Sequence, residues 1–175
     1  MLSKKNNIIL IGFMGVGKGT VARALVKASD YFAIDTDDLI ESIENRRVKK
    51  IFEEESEAYF RSLEKRCALW LEKNVDNTII STGGGFFRQE NIHTIGTIIY
   101  LESSFEGILN RINSSPNAKA KLKKRPLLSN LVEAKKLYNQ RVEDYKKVSD
   151  ITVNVENKDI DLVVKEILGK VNENN

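Results

Sequence analysis

Cysteine and histidine are nearly absent from this chain: Cys67 and His93 are the only ones of their kind in 175 residues. A single cysteine excludes an internal disulfide, and the two residues together exclude a cysteine–histidine zinc cluster. A reducing, cytoplasmic setting is expected. No apolar run approaches the roughly twenty residues that a membrane-spanning helix needs, so no membrane partner is expected. Lys4 and Lys5 precede an apolar run as they would in a signal peptide, but that run passes straight into a glycine-rich turn and not into a cleavage site. A strong net charge is lacking too. The 28 basic and 25 acidic side chains leave +3, too little to call for nucleic acid. No repeat, low-complexity segment or linker divides the chain, and its length suits one α/β domain over residues 1–175, expected as a monomer.

What is present is organised around one stretch. Gly12-Phe13-Met14-Gly15-Val16-Gly17-Lys18-Gly19-Thr20 follows the apolar run Ile8 to Ile11 and precedes a helical pattern beginning at Val21. Gly12, four intervening residues, Gly17 and Lys18 fit the Walker A pattern up to its last position, where a hydroxyl residue is expected and Gly19 stands. Glycines let backbone N–H groups turn inward on an anion, the helix N-terminus adds positive potential, and the lysine reaches the outer phosphates. Gly12, Gly15, Val16, Gly17, Lys18, Gly19 and Thr20 are therefore expected to hold a nucleotide's phosphates.

Beyond the loop, apolar periodicity predicts a helix from Gly17 to about Ala28 and a short strand at 31–34 that ends in Asp35-Thr36-Asp37-Asp38. Asp37 or Thr36 is expected to cap the next helix. Residues 48–74 read as helix broken near Glu55-Ser56, with Tyr59, Phe60, Leu63, Cys67, Trp70 and Leu71 as its core stripe. Strands are expected at 78–81, 97–101 and 151–155, and helices from Ser104, at 131–148 and from Asp159. Three glycines, Gly83 to Gly85, follow the third strand and point to backbone brought against a ligand. Residues 113–125 are polar and aperiodic and carry Lys119, Lys121, Lys123, Lys124 and Arg125, so they read as one long loop, a lid over phosphates. Five strands alternating with helices predict a five-stranded parallel sheet with helices on both faces.

Ligands of such sheets bind outside the carboxyl ends of the strands. Lys18, Asp35, Asp37 and Gly83 to Gly85 should meet there. Phosphoryl transfer depends on positioning and charge neutralisation, for which Asp37, Lys18 and a lid arginine supply the parts.

The order of these pieces resembles shikimate kinase from the first strand to the last. The residues that carry the resemblance are Gly12 to Lys18, Asp35-Thr36-Asp37, Ile51-Phe52, Phe60-Arg61 with Glu64, Ser81 to Gly85, Arg125 to Leu128, and Arg141 before Tyr145. The resemblance implies ATP-dependent phosphorylation of the 3-hydroxyl of shikimate, on the route to chorismate and the aromatic amino acids. It implies that Asp37 orients or deprotonates the acceptor hydroxyl, that Arg61 and Arg141 grip the acceptor carboxylate, and that Gly83, Gly84 and Gly85 line the same pocket. It also implies that Arg125 shields the transferring phosphoryl group, that Arg111 stacks on adenine, and that Mg2+ is held through Asp35 and Ser81, partly through water. With Gly19 in place of a hydroxyl residue, Thr20 becomes a candidate metal ligand. Gly17-Lys18-Gly19-Thr20 also resembles adenylate kinase, which leaves a nucleoside monophosphate kinase, or a gluconate-type metabolite kinase, as the alternative.

Overall fold

The computed structural model describes residues 4–123 and 126–173. Its strands, β1 (Ile8–Ile11), β2 (Phe32–Asp35), β3 (Thr78–Ser81), β4 (Thr97–Glu102) and β5 (Ile151–Asn154), form one parallel sheet in the order β2-β3-β1-β4-β5. The interior strands explain their own sequences. All four residues of β1 are buried, as are Ile98 to Leu101 of β4, because helices cover both faces of a parallel sheet and leave no solvent side on which to place polar residues. At the edge, Phe32 of β2 is 80% exposed.

The helices are α1 (Lys18–Lys27), α2 (Thr36–Glu44), α3 (Val48–Glu54), α4 (Glu57–Asn74), α5 (Ile92–Ile95), α6 (Phe105–Asn113), α7 (Ala118–Lys123), α8 (Leu131–Val148) and α9 (Ile160–Glu173). Short polar side chains start several of them. Asp35, Ser56, Ser104 and Asn130 accept first-turn N–H groups of α2, α4, α6 and α8, a contact worth about 1 kcal/mol each. Glu156, just past β5, accepts the Ser104 N–H at 2.8 Å and ties that loop to the start of α6. No helix among the described residues is long and apolar enough to cross a membrane.

Three expectations differ from the structure. The cap of α2 is Asp35, whose Oδ1 accepts the Asp37 N–H at 2.9 Å, and not Asp37 or Thr36; an extended residue at the strand end is better placed to reach forward than one already in the helix. Trp70 is 47% exposed and lies outside the core. The inward positions of α4 are Phe60, Glu64, Ala68 and Leu71, so Trp70 stands about 100° round the helix from Leu71. Residues 113–125, read as one loop, contain α7.

Candidate active site

The phosphate loop is built by backbone conformations that only glycine takes readily. Gly12, Gly15 and Gly17 have φ of 146°, 85° and 108°. Gly17 is doubly constrained, since a Cβ there would also lie 2.5 Å from the Arg111 guanidinium. Unlike α2, α4, α6 and α8, helix α1 has no side-chain cap, so the first-turn N–H groups are left facing the loop, where an anion satisfies them. Lys18 folds its Nζ across the loop onto the Gly12 and Phe13 carbonyls at 2.6 and 3.3 Å. Arg111 donates Nη1 to the Val16 carbonyl at 2.8 Å, which lays a flat cation against the loop from α6.

Beside the loop, the register of β2 on β3 sets Asp35 opposite Ser81. The Ser81 hydroxyl donates to Asp35 Oδ2 at 2.7 Å while Oδ1 caps α2. Asp37 follows on the first turn of α2. Its Oδ1 is buried and has no hydrogen-bond partner among the described residues. Burial, with Asp35 and Glu64 nearby, pushes the Asp37 carboxyl up to about 7. A carboxyl so poised exchanges a proton near neutrality, as a general base must.

The turn after β3 gathers the rest. Thr36, fully buried, accepts the Gly83 N–H on its hydroxyl at 3.1 Å, and Thr82 donates its hydroxyl to the Leu10 carbonyl at 2.9 Å. The three glycines then meet three different side chains. A Cβ on Gly83 would lie 2.6 Å from Asp37 Oδ1, one on Gly84 3.1 Å from Arg141 Nη1, and one on Gly85 2.5 Å from Arg61 Nη1. Arg61 is fixed from its own helix, donating Nη1 to Glu64 at 2.7 Å and Nη2 to Glu57 at 3.0 Å. Glu64 is 1% exposed; burial raises its pKa against the pull of Arg61 and Arg141. Arg141, 7% exposed, donates Nη1 to the Gly84 carbonyl at 3.2 Å, and its buried Nε has no partner among the described residues. A buried donor and a buried acceptor, both unpartnered, flank one glycine turn, and such groups are expensive unless a ligand completes them.

The structure therefore brings Asp37, Arg61, Arg141 and Gly83 to Gly85 together, with Asp35 and Ser81 adjoining and Lys18 and Arg111 on the phosphate loop. Thr20 stands apart: it is exposed and lines a groove between α1 and α9 with Ile160 and Val164. Arg125 lies outside the described residues. Cys67 is half-buried, and burial drives its thiol up to about 11, which leaves it a packing residue. Thr36 was not legible as part of the site from sequence, although its place between two aspartates at a strand end marks it.

A family model described as shikimate kinase matches residues 14–172. The chain belongs to the shikimate kinase family. It is 40% identical to a shikimate kinase of Helicobacter hepaticus over 148 residues, 85% of this chain and 86% of that one. Among solved structures, shikimate kinase from Aquifex aeolicus superposes with a TM-score of 0.77 at 36% identity, covering 96% of this chain and 97% of that one. The enzyme from Acinetobacter baumannii in complex with shikimate gives 0.80 at 27% identity, covering 99% and 96%. Family membership makes the protein an ATP-dependent kinase, and Gly17-Lys18-Gly19-Thr20 does not make it an adenylate kinase.

Proposed function

We propose that the protein transfers the γ-phosphoryl group of ATP to the 3-hydroxyl of shikimate. The observation that carries this reading is the meeting of Asp37, Arg61 and Arg141 on three successive glycines. One carboxylate suits a hydroxyl, and two forked guanidinium groups suit a carboxylate. Shikimate offers both functions on one small ring, and the presence of shikimate in the related Acinetobacter baumannii structure supports that substrate class.

In this reading the phosphates lie on Gly12 to Thr20 with Lys18 against the outer ones and Arg111 beside the adenine. Arg61 and Arg141 hold the acceptor's carboxylate, which turns its hydroxyl toward Asp37. Asp37 orients that hydroxyl and accepts its proton as the oxygen attacks. Gly83, Gly84 and Gly85 leave room for these side chains and form the pocket wall. Arg125, with the segment 113–125 as a lid, supplies positive charge to the transferring group. Catalysis of this kind is almost entirely positioning and electrostatic stabilisation.

Asp35 and Ser81 fit a magnesium site by their chemistry. Mg2+ takes hard oxygen ligands, keeps several waters and uses one or two side chains plus substrate phosphates. That matches an adjacent carboxylate and hydroxyl at the phosphate edge. When bound there, Mg2+ would neutralise charge on the phosphate oxygens.

The test is ADP release measured with shikimate or with AMP as acceptor. Shikimate-dependent turnover is expected. Phosphorylation of AMP with no shikimate turnover would overturn the assignment.

A further inference from the structure

Tyr145 is a core residue of α8, yet its hydroxyl reaches the glycine turn. The ring is completely buried on α8, stacked on Tyr100 at 5.2 Å and set edge-on to Phe87 at 4.7 Å. Its Oη donates to the Gly84 carbonyl at 2.6 Å, the same oxygen that accepts Arg141 Nη1 at 3.2 Å. Arg141 and Tyr145 are four residues apart, so both point from one face of α8. A carbonyl has two acceptor lone pairs and accommodates both donors. The short bond belongs to the tyrosine and the long one to the arginine.

That asymmetry matters because of what Arg141 is proposed to do. A guanidinium that turns from this half-buried carbonyl toward a substrate carboxylate withdraws one of the oxygen's two donors, and this costs less when the second donor remains. Tyr145 is that donor. Burial pushes its hydroxyl up to about 12, so it keeps its proton through the whole working range. We infer that Tyr145 is a positioning residue for acceptor binding, which holds the Gly84 carbonyl so that Arg141 can turn its guanidinium to the acceptor's carboxylate. This rests on the proposed role of Arg141, and Tyr145 acts only through it.

Tyr145→Phe removes the hydroxyl and keeps the buried ring. In the variant, Arg141 is the sole donor left to the carbonyl among the described residues and is drawn onto it. The KM for shikimate should rise roughly tenfold, the equivalent of one modest hydrogen bond, while kcat and the KM for ATP stay within about threefold. Tyr145→Phe added to Arg141→Ala should raise the KM no further, since the effect passes through the arginine. A residue that only fills the core would shift the melting temperature and leave the KM for shikimate unchanged, and that result overturns the inference. So does an additive effect in the double variant. Wild-type turnover of shikimate is measured first: its absence removes the proposed function and this inference together, whereas normal wild-type turnover with an unchanged Tyr145→Phe KM removes this inference alone.

Discussion

Gly83 and Asp37 occupy each other's space: a Cβ on Gly83 would stand 2.6 Å from Asp37 Oδ1. The glycine is thus required by the carboxylate and not by its backbone angles. Gly83→Ala should push Asp37 off its position and depress kcat, while ATP binding on the phosphate loop is preserved. Asp37→Asn, which keeps the shape and removes the base, should slow transfer by about 10² to 10⁴-fold. Single-turnover rates with a nucleotide-binding measurement check both, and near-normal turnover in Asp37→Asn would refute the role of the carboxylate.

The raised Asp37 pKa has consequences for rate and for stability. In the free enzyme the carboxyl titrates at about 7, so kcat/KM for the acceptor should climb through that pH, and Asp37→Asn should remove the limb. For stability, a folded pKa above the unfolded one means that the protonated form favours the fold. The contribution is complete below about pH 4 and is lost as pH rises through about 7. The ligand-free wild type should therefore lose stability between about pH 4 and pH 7 that Asp37→Asn retains, by at most on the order of 4 kcal/mol. Thermal melts across that range measure it; parallel curves for the two proteins would show that Asp37 is not strained by its site.

Arg61 differs from Arg141 in how it is held. Its anchors, Glu57 and Glu64, lie on α4 itself, and Glu64 is buried with Arg61 as its direct ion partner. Arg61→Ala should raise the KM for shikimate at least tenfold and also lower the melting temperature, because truncation leaves a buried carboxylate without its partner, at a cost of about 1–3 kcal/mol. Arg61→Ala with Glu64→Gln should recover much of the stability and none of the affinity. Unchanged shikimate affinity in Arg61→Ala would remove it from the carboxylate clamp.

Much of this was written in local pattern. The limits of β3 and α8, the break before α4 and the convergence of motifs on one sheet edge followed from apolar periodicity and strand ends. What did not follow came from tertiary contacts. The strand order is set by crossovers that leave no local mark. Glu64 occupies an inward position of α4, which blurs the apolar stripe and drew Trp70 into the expected core. The glycine triplet was legible as close backbone approach to a ligand, but the three side chains that crowd a Cβ there come from α2, α4 and α8, far apart in sequence.

Gly19 departs from the Walker A pattern, and the structure gives no steric reason for the glycine. Its φ is not positive, and an added Cβ would meet only Arg23 Nη1, at an ordinary 3.4 Å. Thr20, the nearest hydroxyl, faces the groove beside α9. Under the proposed magnesium site, the metal therefore lacks the hydroxyl that usually follows the loop lysine and depends on Asp35, Ser81, water and the phosphates. Gly19→Ser restores that oxygen in the first turn of α1 without strain. The magnesium concentration for half-maximal turnover should fall, with the KM for shikimate unchanged, and Ser81→Ala should raise it. An identical magnesium titration for wild type and Gly19→Ser would show that water replaces the missing hydroxyl at no cost in affinity.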